Sequence, residues 1–142
     1  MNKRNTEKLF NDFPRLFKGK DLGMRENLMC FGFECGDGWF GLIYQLSKDL
    51  EVEFQKLPET EKQEAIENDH YIAMQVKEKF GGLRFYMSIE TKEMGRLISE
   101  AEDKSYTICE SCGNPGEVRR GGWVQTLCDV CVSPKEEQNE NT

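Results

Sequence analysis

The sequence predicts an α+β fold: helices packed on a small antiparallel β-hairpin sheet, followed by a cysteine-bearing C-terminal module. Three observations carry this reading. Trp39, Ile43, Leu46, Leu50, Phe54 and Leu57 recur at spacings of four and three, the stripe of an amphipathic helix. Apolar and polar residues alternate on both sides of Gly81-Gly82, the pattern of two strands joined by a tight turn. Two Cys-x2-Cys pairs close the ordered part of the chain.

Taken in order, residues 6–18 read as a short helix. Thr6 stands in an N-cap position, and Leu9, Phe10, Phe13 and Phe17 follow at helical spacing. Pro14 ends or kinks that helix near Phe13. Met29, Phe31 and Phe33 alternate with Cys30 and Gly32, which suggests a short strand or extended segment. Asp37 is placed to cap the long helix that carries the Trp39 stripe, and Pro58 marks its end. Residues 59–70 are strongly polar and read as a solvent-facing helix or loop. In the hairpin, Ile72, Met74 and Val76 share one face, with Gln75, Lys77 and Lys79 opposite. Across the turn, Leu83, Phe85, Met87 and Ile89 share a face, with Arg84, Tyr86 and Ser88 opposite. A helix from about Thr91 to Lys104 then buries Met94, Leu97, Ile98 and Ala101.

Composition limits the function classes. The chain has 142 residues, enough for one domain with a small appended module. No run approaches the roughly 20 apolar residues of a membrane span, and no apolar stretch follows the charged N-terminus as in a secretory signal. A cytoplasmic protein that does not engage a membrane is expected. Lys and Arg number 19 against 26 Asp and Glu, a net charge of −7. Residues 1–25 carry seven basic and three acidic side chains, whereas residues 51–70 carry two and seven. An acidic chain is repelled by a phosphate backbone unless a basic patch is segregated, so nucleic-acid binding is disfavoured.

The strongest chemical signal is Cys109-x2-Cys112 followed by Cys128-x2-Cys131. Each pair can fold into a knuckle, and two knuckles complete a tetrahedral thiolate set for one Zn²⁺. Gly113 supplies the conformational freedom such a knuckle needs. Between the pairs, Glu117–Arg120 and Trp123–Leu127 flank Gly121-Gly122 as two short strands, the layout of a zinc ribbon. Four thiolates leave no open position on the ion, so the zinc is expected to be structural. Iron held by four thiolates shares the same spacing. A redox dithiol or two disulfides fit less well, because neither pair opens a helix in a βαβ pattern. The expected organisation is an α+β domain over residues 1–105, a zinc ribbon over 106–132 and a disordered acidic tail over 133–142.

Three further features invite a functional reading. Lys77, Lys79 and Arg84 with Tyr86 form a basic hairpin face, and Arg119, Arg120 and Trp123 stand at the tip of the ribbon. Either group could meet an acidic partner or a nucleic acid, although Trp123 is more simply read as packing on the knuckles. Cys35, before Gly36-Asp37-Gly38-Trp39, could be a nucleophile at a helix start, with the single His70 as its base. The simpler reading makes Cys30 and Cys35 buried core residues. No P-loop, dinucleotide fingerprint, HExxH or serine elbow is present.

Four segments together resemble a family of small uncharacterised proteins of bacteriophages and prophages. They are Gly32-Phe33-Glu34-Cys35-Gly36-Asp37-Gly38-Trp39-Phe40, Gln75-Val76-Lys77-Glu78-Lys79-Phe80-Gly81-Gly82-Leu83-Arg84-Phe85-Tyr86, Ile108-Cys109-Glu110-Ser111-Cys112-Gly113 and Thr126-Leu127-Cys128-Asp129. The resemblance implies a C-terminal four-cysteine ribbon and action inside an infected bacterium. It implies no activity. The function expected is that of a non-enzymatic accessory protein that binds a host or phage protein and modulates it, such as a defence or transcription component. The alternative is a nucleic-acid-binding accessory protein.

Overall fold

The computed structural model describes residues 1–132, so the expected acidic tail at 133–142 lies outside the described residues. Four helices, α1 (Lys3–Asp12), α2 (Phe40–Gln55), α3 (Glu59–Asn68) and α4 (Lys92–Ser105), accompany two small sheets. The first sheet contains β1 (Phe33–Glu34), β2 (Ala73–Lys79) and β3 (Gly82–Met87), and the second β4 (Glu117–Arg120) and β5 (Val124–Leu127).

The first helix starts earlier than the sequence suggests. Asn2, not Thr6, is its N-cap, and its side chain accepts from the Asn5 N–H at 2.8 Å. Pro14 has the expected effect: α1 stops at Asp12, and the chain turns through Phe13 to Phe17. Those two rings turn inward, and Phe17 meets Phe33 edge-on with centroids 5.0 Å apart. Arg15 lies between them in the chain, stacked 3.6 Å over the Phe54 ring, with Glu51 accepting two of its hydrogen bonds.

The Trp39 stripe is the spine of the core. Trp39, Ile43, Leu46, Leu50 and Phe54 are all buried. Asp37 does not cap α2. It opens a single 3₁₀ turn, Asp37–Trp39, which feeds α2 from Phe40 without a side-chain cap. Its carboxylate points back instead, accepting from the Asn2 N–H at 2.7 Å and Asn5 Nδ2 at 3.2 Å. Asp37 thus fastens the start of α1 to the start of α2. The polar segment after Pro58 is helical, with Ala65 buried and Asp69 closing it in the left-handed region.

The central hairpin forms, but its turn is shifted by one residue. Lys79 pairs with Gly82, so the turn residues are Phe80 (φ 53°) and Gly81 (φ 86°), not Gly81-Gly82. Gly82 is a strand residue, required for a different reason. A Cβ there would lie 2.4 Å from the Tyr106 ring. An irregularity between Ala73 and Gln75 also breaks strict alternation, so Ala73 and Val76 are buried while Met74 is only half-buried. The sheet is not purely antiparallel. Residues 29–31 make a 3₁₀ turn, and the chain extends only at β1, which pairs parallel to β2 through Phe33↔Val76 and Glu34↔Lys77. The alternation read at Met29, Phe31 and Phe33 reaches β1 only at Phe33, and two residues carry no signal for the parallel pairing with β2.

Helix α4 begins as expected, with the Thr91 hydroxyl accepting from the Met94 N–H at 3.1 Å. It covers the outer edge of β3. Ser105 Oγ accepts from the Leu83 N–H at 2.9 Å, and Glu102 Oε2 accepts from the Phe85 N–H at 3.0 Å. Side chains thereby satisfy an edge that another strand could otherwise extend. No helix of the described residues is long and apolar enough to cross a membrane.

Ser105 and Leu83 are both fully buried, so Ser105→Ala orphans a strand N–H that water cannot reach. The expected cost is about 1–3 kcal/mol. Calorimetry should find the thermal midpoint lowered by roughly 3–10 °C.

Candidate metal centre

Strands β4 and β5 pair antiparallel from Glu117↔Leu127 to Arg120↔Val124, and the two cysteine pairs flank this hairpin. The hairpin brings the thiols together. The Sγ atoms of Cys109, Cys112, Cys128 and Cys131 all lie within 4.8 Å of one another. Cys112 and Cys128 are 3.7 Å apart, and all four are free rather than disulfide-bonded. A tetrahedral ion with sulfurs at about 2.3 Å has S···S edges of about 3.8 Å. The donor set therefore fits one ion, held by four cysteines with none left for a substrate.

The local backbone favours thiolates. Cys109 is buried, which by itself raises a thiol pKa. Backbone N–H groups of Cys112, Cys128 and Ser111 directed at its sulfur outweigh that effect and bring it down to about 6. Gly113 has φ 85°, the left-handed geometry that lets its N–H reach back to Cys109 O at 2.9 Å. Without a cation the four sulfurs cannot all be charged at this spacing, and Cys131, hydrogen-bonded to the Cys128 and Cys112 thiols, is pushed up to about 12. A divalent cation removes that conflict.

The first knuckle is seated on the Gly36–Trp39 loop. The Gly38 N–H donates to Glu110 O at 2.7 Å, the Gly36 N–H to Glu110 Oε2 at 2.8 Å, and Trp39 Nε1 to Ile108 O at 2.9 Å. Contact is so close that no side chain fits. A Cβ on Gly38 would lie 2.0 Å from Cys109 O, and one on Gly36 2.4 Å from Glu110 O. On the other side, Glu110 N–H donates to Thr126 O at 2.9 Å, and the Thr126 hydroxyl donates to Gly81 O at 2.6 Å. Gly36-Asp37-Gly38-Trp39 reads in the sequence as a helix start. Its closeness to Cys109 and Glu110 is a long-range fact with no local signal.

The remaining candidates fall in different places. Cys35 is buried, but Cys30 is exposed, contrary to the expectation of two buried cysteines. Burial pushes the Cys35 thiol up to about 12, so it is no thiolate at neutral pH. His70 stacks edge-on against Tyr71, and among the described residues no hydrogen bond joins it to Cys35. Lys77 and Arg84 are cross-strand partners on the outer face of the first sheet, with Lys79 toward the turn and Tyr86 toward the other end. Arg84 is engaged, donating to Leu83 O at 2.9 Å and Tyr106 Oη at 3.2 Å. Arg119 also works within the fold, reaching Leu127 O at 3.1 Å and Asp129 Oδ1 at 2.8 Å. Arg120 is exposed. Trp123 does not pack on the knuckles; it is 67% exposed. It faces Phe80, 71% exposed, across a cleft of about 260 Å³ bordered by Glu78, Gly122 and Val124.

Comparison with protein-family models, curated proteins and solved structures gives no match.

Protein purified without chelator should carry about one equivalent of metal per chain. Elemental analysis should find it lost in Cys109→Ser and unchanged when Cys30 and Cys35 are both replaced by alanine. A halved content in the double variant would mean the ligand set is wrong.

Gly38→Ala should displace the knuckle, costing about 1–3 kcal/mol and speeding metal release to a chelator. Gly41→Ala is the control. Its Cβ meets nothing within 4 Å, so this helical substitution should be neutral or stabilise by up to about 1 kcal/mol. Equal metal release from the two variants would show that the loop does not hold the knuckle.

Proposed function

We propose that the protein is a zinc-stabilised, non-enzymatic binding module whose contact surface is the pair of aromatic side chains, Phe80 and Trp123, at adjacent hairpin tips. The observation that carries this reading is Phe80. It occupies the first position of a tight turn at φ 53°, where a residue with a Cβ is disfavoured by about 1–2 kcal/mol. Its ring is nevertheless 71% exposed. Neither turn chemistry nor core packing favours phenylalanine there, and contact with another molecule does. Trp123 is likewise exposed across the cleft, and exposed aromatics of this kind dominate protein interfaces.

Zinc suits the all-thiolate donor set, and its role would be structural, fixing the β4–β5 hairpin beside Phe80. The absence of an assembled Cys35–His70 pair and the closed set of four sulfurs favour binding over catalysis. The resemblance to phage and prophage proteins is the support for proposing action in the bacterial cytoplasm, with a host or phage protein as the partner and modulation of that partner as the outcome. Nucleic-acid binding is the weaker reading, because Arg84 and Arg119 are occupied within the fold and Glu78 borders the aromatic cleft.

The test is affinity capture from bacterial lysate with the parent and with a Phe80→Ser, Trp123→Ser double variant. Both side chains are exposed, so metal content should be unchanged. A protein retained by the parent and lost with the variant is expected. Identical captured sets, or capture of nucleic acid alone, would sink the reading.

A further inference from the structure

The cleft beside Trp123 holds more negative charge than it pairs. Its broader part, about 410 Å³, is lined by Glu34, Glu78 and Glu110 against Lys77, with the N-terminal ammonium acting on Glu110 from nearby. Glu78 and Trp123 border both this part and the smaller part that Phe80 lines. Oε2 of Glu78 and Oε1 of Glu110 are fully buried and accept no hydrogen bond. Glu34 Oε1 accepts from Gln75 Nε2 at 3.1 Å, and Glu110 Oε2 from the Gly36 N–H at 2.8 Å. Leaving buried acceptors unpaired costs about 1–3 kcal/mol each, more for charged groups. Glu78 can turn about its last bond to bring its unpaired oxygen to a donor entering the cleft, whereas the Glu110 carboxylate is held in place by the Gly36 N–H.

We propose that this cleft takes an arginine side chain from a basic segment of a partner protein, a proposal that rests on the protein-binding reading above. The residues match that side chain part by part. A guanidinium brings five N–H donors in a planar fork, suited to a wall of carboxylates of which two, Glu78 and Glu110, each have one oxygen without a donor. Its flat face stacks on the exposed Trp123 indole, the aromatic ring best suited to a cation. The methylene stem lies against Phe80 at the mouth. A net charge of −7 draws a basic partner from a distance. A phosphate backbone entering the same cleft would meet three carboxylates.

The experiment uses the full chain loaded with one equivalent of Zn²⁺, at low salt. Fluorescence anisotropy compares a short peptide of alternating arginine and glycine with its lysine and glutamate counterparts and with an oligothymidylate. The arginine peptide should bind more tightly than the lysine peptide, and the glutamate peptide should not bind. Trp123→Ala, and separately Glu78→Gln with Glu110→Gln, should each weaken the arginine peptide roughly tenfold, which corresponds to about 1.4 kcal/mol. Glutamine at position 110 keeps an acceptor for the Gly36 N–H, so metal content and thermal midpoint should hold. Equal affinity in parent and variants would overturn the proposal, as would no binding of the arginine peptide, or oligothymidylate binding that requires Trp123. If the peptide fails while capture of a bacterial protein still requires Phe80 and Trp123, only the arginine assignment falls. If capture is also indifferent to both, the protein-binding reading falls with it.

Discussion

The hydrogen bond from the Gly38 N–H to the Glu110 carbonyl is the contact on which the arrangement of the molecule depends. It forms only because two glycines let one backbone lie against another, where any Cβ would collide with a carbonyl oxygen. Around that point the chain converges from five directions. The N-terminal ammonium donates to the Phe33 and Cys35 carbonyls, and Asp37 holds the start of α1. Trp39 begins the core stripe of α2 and reaches Ile108 with its indole N–H. Strand β1 ends there, and the first cysteine knuckle sits on top. Buried groups at such a junction are nearly all paired, as the cost of an orphaned donor demands.

The same junction explains how a cysteine-bearing hairpin can influence a surface it does not contain. Glu110 follows Cys109, so any ion that fixes Cys109 also fixes the Glu110 backbone. From there the connection runs through Thr126 to the Gly81 carbonyl at the tip of the β2–β3 turn. Phe80 is the neighbouring residue in that turn. Positioning of the Phe80 turn therefore rests on hydrogen bonds to two backbone carbonyls, one of them from the Thr126 hydroxyl. The polar wall of the cleft comes from the same geometry: Glu110 projects from the knuckle and Glu78 from the strand below it.

Charge is distributed in a way that composition does not predict. The basic residues of the two hairpins look like one surface in the sequence, yet two of the arginines work inside the fold. Arg84 holds Tyr106 over Gly82, and Arg119 ties β4 to the end of β5 and to Asp129. The side chains left to define the cleft are aromatic and acidic. An interface reading built on counting Lys and Arg points to an acidic partner. One built on which groups lack partners points the other way.

By itself, the sequence determined whatever depends on local period and spacing. The α2 stripe, the β2–β3 hairpin, helix α4 and the convergence of four cysteines follow from repeats of 3.6 or 2 residues and from two short cysteine loops. Local rules err by one to four residues where several candidates compete. Asn2 rather than Thr6 caps α1, and Phe80-Gly81 rather than Gly81-Gly82 makes the turn, because Gly82 is needed under Tyr106. Only the tertiary structure decided the rest: the two-residue parallel strand β1, the docking of the knuckle on the Gly36–Trp39 loop and the acidic, aromatic cleft. Each of these joins residues more than 40 positions apart through single backbone contacts or shared walls. Such contacts leave no periodic trace in a chain, because what they require of each partner is only the absence of a side chain or the presence of one carbonyl.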